Sequence, residues 1–389
     1  MGQQFDQAKK LSELCRSNGQ CKKGVADKDT PVEWYLHSLT KCKSLKDSIE
    51  SGQYHARPGQ EVQIYKPKRR VATAPAYADR VWQRSMCNNG VYDDLTRPFI
   101  YDNMACQKGK GTDLTIRRVV HMLQRLHREA PGEPVYGCHM DVRQFFPSTP
   151  HEGLRQMDRA LMSEPEYIPY LDEIIDNSED KRPRDEVEAD PFGERGTGLG
   201  SQINQLHQIA YLDELDHGVK CICRFYIRYN DDFLFLSHDK ETVRKAEEAI
   251  RKELEGLGLV ATVKQRFRAE QGFGFIGKRF ILTETGKVIV RLRKGAMADE
   301  RRVLRALRAQ LNTGQTDMEH VRRHYQSVIA DYEYAGDAPI RAMDRFYTGQ
   351  FREKPIYKRK RRYLYGHNQT SAGRDTRPAG RERTVEEVA

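Results

Sequence analysis

The sequence predicts a mixed α+β fold, and three observations carry that expectation. Amphipathic stretches such as Leu114–Arg128 alternate with short apolar runs around 135–142, 222–229 and 232–237. Helical spacing returns later, with Val303, Leu304, Leu307 and Leu311 on one stretch and Val321, Tyr325, Val328 and Tyr332 on another. At 389 residues the chain can build roughly two to three modules with their own cores and needs no disulfide staples.

Residues 1–60 read as a polar helical extension ending in Ser51-Gly52 and Pro58-Gly59, before a strand at Val62-Gln63-Ile64-Tyr65. A boundary is expected near residue 60. Residues 61–134 and 135–290 then carry the α+β pattern, and 291–350 a small two-helix module. The segment 352–389 holds eleven Lys/Arg and five Asp/Glu, a net +6, with few apolar residues after Tyr365. From 351 to 389 the expectation is a basic tail that is disordered or ordered only on a polyanion.

Lys+Arg number 66 against 56 Asp+Glu, a net charge of +10 with pI near 9.1, which suits a polyanionic partner. The eight cysteines are scattered, with no CxxC pair matched for zinc, so reduced thiols in a cytoplasmic protein are expected. The first residues lack an apolar core for a signal peptide. A mean hydropathy of −0.80 offers no candidate membrane span, and no membrane partner is expected.

The strongest local signal is Phe225-Tyr-Ile-Arg-Tyr-Asn-Asp-Asp-Phe-Leu-Phe-Leu-Ser237. Two apolar strands flank a polar Asn230-Asp231-Asp232, which reads as a tight hairpin, because Asn and Asp tolerate turn dihedrals. Two adjacent carboxylates at a hairpin tip repel each other, and hard oxygen ligands favour magnesium, with manganese as a substitute. A third carboxylate comes from Val135-Tyr-Gly-Cys-His-Met-Asp-Val142. Alternation puts Tyr136, Cys138, Met140 and Val142 on one face and Asp141 on the other. Two ions about 4 Å apart on such a cluster activate a 3′-hydroxyl and stabilise a pyrophosphate leaving group.

Three other stretches read as ordinary surface. Tyr92-Asp93-Asp94-Leu95 repeats the Tyr-Asp-Asp string, but the preceding Cys87-Asn-Asn-Gly90 is a turn signal without an apolar strand, so a loop is expected. The acidic run Asp172–Asp190 reads as a solvated, mobile segment. Gly109-Lys110-Gly111-Thr112 lacks the upstream glycine of a P-loop.

The order of these motifs, from about Ile64 to Arg293, resembles bacterial reverse transcriptases of the group II intron, retron and diversity-generating retroelement lineage. Tyr229-Asn-Asp-Asp232 resembles the family's Y-x-D-D box and Asp141-Val-Arg-Gln-Phe-Phe146 its first aspartate motif. The resemblance implies a right-hand polymerase: fingers over 61–134, a palm of antiparallel sheet and helices over 135–290, and a helical thumb over 291–350. It implies Asp141, Asp231 and Asp232 as catalytic metal ligands for two Mg2+ ions, with Val142 joining them. Phe145 and Phe146 would lie at the nucleotide, Phe146 as the aromatic gate that rejects a ribose 2′-OH.

Gly196-Thr-Gly-Leu-Gly-Ser-Gln-Ile-Asn-Gln-Leu-His-Gln-Ile-Ala-Tyr-Leu212 resembles the family's G-L-P-Q-G-S-x-x-S-P-x-x-A-N-x-Y-L segment. Its glycines would let a template–primer backbone and nucleotide approach closely, which makes Gly200, Ser201 and Gln205 candidate nucleotide contacts. Leu199 in place of Gln and Asn204-Gln205 in place of Ser-Pro are departures, closest to diversity-generating and defence-associated enzymes. Leu257-Gly258-Leu259 followed by Lys264 resembles the motif whose lysine protonates the leaving pyrophosphate. Phe275-Ile-Gly-Lys-Arg-Phe280 resembles the primer-grip hairpin through Phe275, Gly277 and Phe280. In the fingers, Lys68, Arg69 and Lys110 are candidate phosphate contacts.

The function so implied is RNA-directed DNA polymerisation, with dNTPs, a structured noncoding RNA template and a DNA product as partners. An accessory protein or a second copy of the chain is a further candidate partner. The N-A-x-x-H and V-T-G motifs of retron enzymes are absent from the sequence, and little chain follows the thumb for a maturase region. Antiviral defence and a diversity-generating retroelement stay open as roles. The alternative is a catalytically idle RNA-binding scaffold, which intact Asp141, Asp231, Asp232 and Lys264 disfavour.

Overall fold

Two short strands, β1 (Gln60–Ile64) and β2 (Arg70–Ala74), pair antiparallel with Gln60 opposite Ala74. The structure, a computed structural model, describes residues 2–22, 29–64, 70–178, 180–198 and 200–359. It divides into two compact units, Met1–Arg305 and Ala306–Ala389.

In the first unit β3 (Tyr136–Val142), β4 (Phe225–Tyr229), β5 (Asp232–Ser237) and β6 (Ala261–Arg268) form an antiparallel sheet in the order β4-β5-β3-β6. A second, three-stranded meander follows: β7 (Phe273–Phe275), β8 (Lys278–Leu282) and β9 (Val288–Leu292). On one face of the larger sheet, Cys138, Met140, Val142, Phe233 and Phe235 form a core with Leu215, Val219, Ala246 and Ile250 from the helices Asp213–Ile222 and Lys240–Gly256. Leu234 and Leu236 are also fully buried, so β5 is covered on both faces. This explains why its sequence is a continuous apolar run. The long helix starts where Asp239 accepts hydrogen bonds from the Glu241 and Thr242 amides, an N-cap that ends the preceding strand connection.

The N-terminal helices Gln3–Ala8, Leu11–Gln20 and Ser38–Glu50 share one core with later chain. Phe5, Leu14 and Leu45 pack in the same cluster as Trp82, Met86, Tyr167 and Leu206. The boundary expected near residue 60 therefore falls inside a shared core.

One surface expectation is corrected and a second is refined. Tyr92–Thr96 is a helix, not a loop, entered through a wide turn at Cys87–Val91 in which Gly90 adopts φ 123°. Asp94 is buried and accepts from the Ser163 amide at 2.8 Å. The Asp172–Asp190 run stays largely exposed over 183–189, as expected of a solvated segment, but is anchored at Asp180 and Asp190. Arg182 bonds Asp180 and Asp190 at 2.6 Å each, and Arg195 bonds Asp190 and the Ser148 carbonyl. Burial pushes the Asp180 carboxyl up, but hydrogen bonds from Arg182 and the Arg195 amide outweigh it and hold it at about 2.

In the second unit, helices Met318–Tyr332 and Asp337–Phe351 bring Tyr325 against Tyr347, the rings tilted by 36° with centroids 4.4 Å apart. Tyr325 and Tyr357 both donate to Asp344 at 2.8 Å. Asp337–Phe351 is a helix beyond the two expected. Pro339 lies in its first turn, where a missing N–H costs no hydrogen bond. Of the basic tail, residues 360–389 lie outside the described residues. Among the described residues no helix is long and apolar enough to cross a membrane.

Candidate active site

The β4–β5 hairpin closes with Tyr229 opposite Asp232, leaving Asn230 and Asp231 as a two-residue turn. Asn230 takes φ 54°, a left-handed conformation that asparagine tolerates. Below the turn, Arg228 is fully buried within what reads as an apolar strand. Its guanidinium bonds Asp216 at 2.6 and 2.7 Å and donates to the carbonyls of Asn230 and Ile209. The turn is thus anchored from inside by a charge that is itself paired.

β3 lies between β5 and β6, and its register sets Asp141 directly opposite Asp232. The Val142 amide donates to the Asp231 carbonyl at 3.2 Å. The Val142 side chain is core, so only its backbone carbonyl could serve as a ligand. Both aspartates of the facing pair are half-buried.

Lys264 reaches this pair through an irregularity in β6. His139 pairs with Gln265 and Met140 with Val263, so the register shifts and Lys264 has no partner on β3. A bulge of this kind re-aims one side chain. The Lys264 ammonium stands 2.7 Å from Asp141 Oδ2 and 2.7 Å from Asp232 Oδ1.

A residue that sequence reading missed completes the arrangement. His139 Nε2 donates to Asp232 Oδ1 at 2.9 Å, and its ring meets Phe275 edge-on at 5.3 Å. Burial pushes the Asp232 carboxyl up, but the hydrogen bonds from His139 and Lys264 outweigh it and hold it below its ordinary value. Asp231 moves the other way, raised by burial and then by the neighbouring Asp232 charge. The only cue to His139 in sequence was its position two residues before Asp141, on the same face of a strand.

The β7–β8 turn places Ile276 and Gly277 at φ 41° and 74°. Phe275 and Phe280 are buried, Phe280 lying 5.5 Å from Phe273 in a stack that continues to Phe267. Their rings are core rather than exposed contact surface. Phe145 is also core, packed in the sheet–helix cluster, whereas Phe146 is half-buried. Of the two, Phe146 keeps a surface for a ligand.

The glycine-rich segment makes a close approach, but to protein. Gly200, at φ 134°, would carry a Cβ 3.0 Å from the Thr73 carbonyl oxygen and 3.2 Å from Ala74 Cα. Ser201 is an N-cap that accepts from the Asn204 amide and donates to Gln83, not a free hydroxyl. Buried Asn204 donates to the Gly198 carbonyl at 3.1 Å, which gives the departure from Ser-Pro a structural role. Gln205 is exposed, and the Cys106 thiol lies 3.8 Å from its Oε1 and 3.9 Å from Asn230 Oδ1. Lys110 does not project freely: its ammonium donates to the Tyr101 and Asn103 carbonyls at 2.8 Å each. Lys68, Arg69 and Leu199 lie outside the described residues.

Asp141 and Asp232 present hard oxygen donors to one point, and the Lys264 ammonium sits there as a cation would. That chemistry fits magnesium or manganese. Among the described residues, however, no group of three or more His, Cys, Asp or Glu is arranged to hold a metal ion. What converges is a cradle of two carboxylates, with Asp231 beside it.

No family model matches the sequence, and no curated protein matches it. Solved telomerase structures show partial similarity. Apo telomerase from Candida tropicalis truncated from its C-terminal domain has 14% identity and a TM-score of 0.44, over 66% of this chain and 60% of that one. Telomerase from Candida albicans with a fragment of telomeric RNA has 11% identity and a TM-score of 0.45, over 71% and 55%. Apo telomerase from Candida tropicalis has 11% identity and a TM-score of 0.46, over 75% and 58%. The chain thus spans less than two thirds of each of these proteins.

Proposed function

We propose that this chain is an RNA-directed DNA polymerase that adds dNTPs to a primer 3′-hydroxyl. One observation carries the reading: Asp141 and Asp232 face each other on adjacent strands, with Asp231 beside them at a hairpin turn. In this reading the four-stranded sheet is the palm, β1, β2 and their neighbouring helices are the fingers, and the helices after residue 291 are the thumb. Asp141, Asp231, Asp232 and the Val142 carbonyl would hold Mg2+, which supplies the positive charge that phosphoryl transfer needs.

The remaining roles belong to the chain's own groups. His139 orients the Asp232 carboxylate through its Nε2 hydrogen bond. Lys264, whose ammonium is held at both carboxylates, is the proton donor toward departing pyrophosphate. Phe146 is the ring assigned to excluding a ribose 2′-OH. The template is a structured noncoding RNA of a bacterial or phage-borne element, serving either antiviral defence or diversification.

The test is extension of a primer on an RNA template with Mg2+ and dNTPs, the chain's native RNA being supplied. Wild type is compared with the variant carrying Asp231→Asn and Asp232→Asn. Extension by wild type alone is expected. No incorporation by wild type would leave the RNA-binding scaffold instead, and incorporation surviving in the variant would remove the site assignment.

A further inference from the structure

The segment after Phe99 runs along the open edge of the catalytic sheet. β4 is the edge strand, and Asn103 bridges it in parallel at Arg228. The Arg228 amide donates to the Asp102 carbonyl at 3.0 Å, and the Met104 amide to the Arg228 carbonyl at 2.9 Å. This edge leads directly into the Asn230-Asp231 turn. Cys106, further along the same segment, reaches the Asn230 side chain. Because the segment runs parallel to β4, its Cys106 end lies at the hairpin turn and Tyr101 lies further back along the same sheet edge.

Tyr101 projects from this segment with 60% of its surface exposed. Two cations stand at 5.3 Å from its centroid, the Lys110 ammonium and the Arg118 guanidinium. Neither is there by side-chain drift. Lys110 is bonded to the Tyr101 and Asn103 carbonyls, and Arg118 is bonded through two nitrogens to buried Asp102, at 2.5 and 3.1 Å. Asp102 is further paired with Lys220 at 2.5 Å. An ammonium has three donors, so Lys110 keeps one for a ligand after its two carbonyl bonds. On the helix Thr112–Glu129, the exposed His121 and Arg125 continue the line from half-buried Arg118, at spacings of three and four residues.

An exposed aromatic face with fixed cations at its rim matches the chemistry of a single nucleic-acid strand, whose bases stack and whose phosphates carry negative charge. We propose that Tyr101 is a stacking platform for one unpaired base of an RNA or DNA strand, with Lys110 receiving the adjoining phosphate. The proposal deepens the polymerase reading and rests on it for the strand's identity. A duplex offers no free base face within its length, so the platform selects unpaired nucleotides along the sheet edge that leads to the hairpin.

The experiment measures binding of the full chain to a labelled oligouridine, an abasic strand of equal length and a blunt RNA duplex, by fluorescence anisotropy. Tyr101→Ala is expected to weaken oligouridine binding about five-fold or more, since base–aromatic stacking contributes ~1–3 kcal/mol per base. Tyr101→Phe keeps the ring and is expected to bind as wild type. Binding of the abasic strand and the blunt duplex is expected to be equal in wild type and Tyr101→Ala. The proposal is overturned if wild type does not bind oligouridine, if Tyr101→Ala binds it unchanged, or if the abasic strand and duplex lose as much. An oligothymidine arm separates RNA from DNA as the stacked strand. The same measurements on the Asp231→Asn, Asp232→Asn variant keep the two readings apart. Selective loss in Tyr101→Ala without any extension activity would retain the platform and reject the polymerase.

Discussion

His139 donates from Nε2 to Asp232 Oδ1 across 2.9 Å while its ring rests edge-on against Phe275. A carboxylate on β5 is thereby oriented from β3, and the orienting ring is itself held by the β7–β8 hairpin. His139→Ala is expected to reduce single-turnover primer extension about 10–100-fold, the usual effect of losing a partner that orients a ligand. His139→Gln, which can still donate, is expected to recover part of the rate. An unchanged rate in His139→Ala would remove the orienting role.

Lys264 occupies the point on which Asp141 and Asp232 converge. Removing its charge leaves two carboxylates facing each other with one fewer cation. Lys264→Ala is therefore expected to bind a trivalent lanthanide such as terbium more tightly than wild type in the absence of nucleotide, read by sensitised luminescence. Its extension rate is expected to fall. Equal terbium affinity in the two proteins would show that the ammonium does not compete for the site.

Asp216 and Arg228 are both fully buried and paired at 2.6 Å. Asp216→Ala strands a guanidinium without its counter-charge, which costs about 3–5 kcal/mol. A large drop in Tm is expected in thermal unfolding. Replacing the pair with Asp216→Leu and Arg228→Met is expected to restore much of that stability, because neither residue then leaves a buried charge.

Gly200 and Gly218 should respond to alanine with opposite signs. At Gly200 the φ of 134° and the 3.0 Å approach to the Thr73 carbonyl penalise a Cβ. A loss of about 1–2 kcal/mol is expected from backbone conformation alone. Gly218 is inside the helix Asp213–Ile222 with nothing within 4 Å of a Cβ, and Gly218→Ala is expected to gain about 0.5–1 kcal/mol. Urea unfolding of both variants measures the pair.

Asp180 titrates at about 2 in the folded chain, below the ordinary carboxylate value of 3.8, because Arg182 and the Arg195 amide stabilise its charged form against burial. A depressed folded value contributes stability that is present above the unfolded pKa and is lost as pH falls through the folded one. The shift corresponds to about 2 kcal/mol. Asp180→Asn is expected to lose stability at neutral pH and to show a smaller further loss between pH of about 4 and about 2. Denaturant unfolding at both ends of that window checks the sign.

Strand-and-helix alternation, the hairpin around Asn230-Asp231-Asp232 and the placement of Asp141 opposite the core face are local properties. A side chain's face on a strand follows from counting, and a turn follows from residues that tolerate its dihedrals. The sequence by itself therefore determined that three carboxylates sit at strand ends in an α+β chain. It could not say which neighbours they meet. The Lys264 bulge depends on how β6 slips against β3. The His139 contact depends on the third-dimension packing of Phe275. Gly200 faces Thr73 and Ala74, from a part of the chain more than a hundred residues earlier. Phe145 and Phe146 are both expected at the nucleotide from sequence, yet packing made one core and left the other half-buried. Only the tertiary structure decided these, because register, burial and long-range pairing are set by the sum of many weak contacts rather than by any one residue's conformational preference.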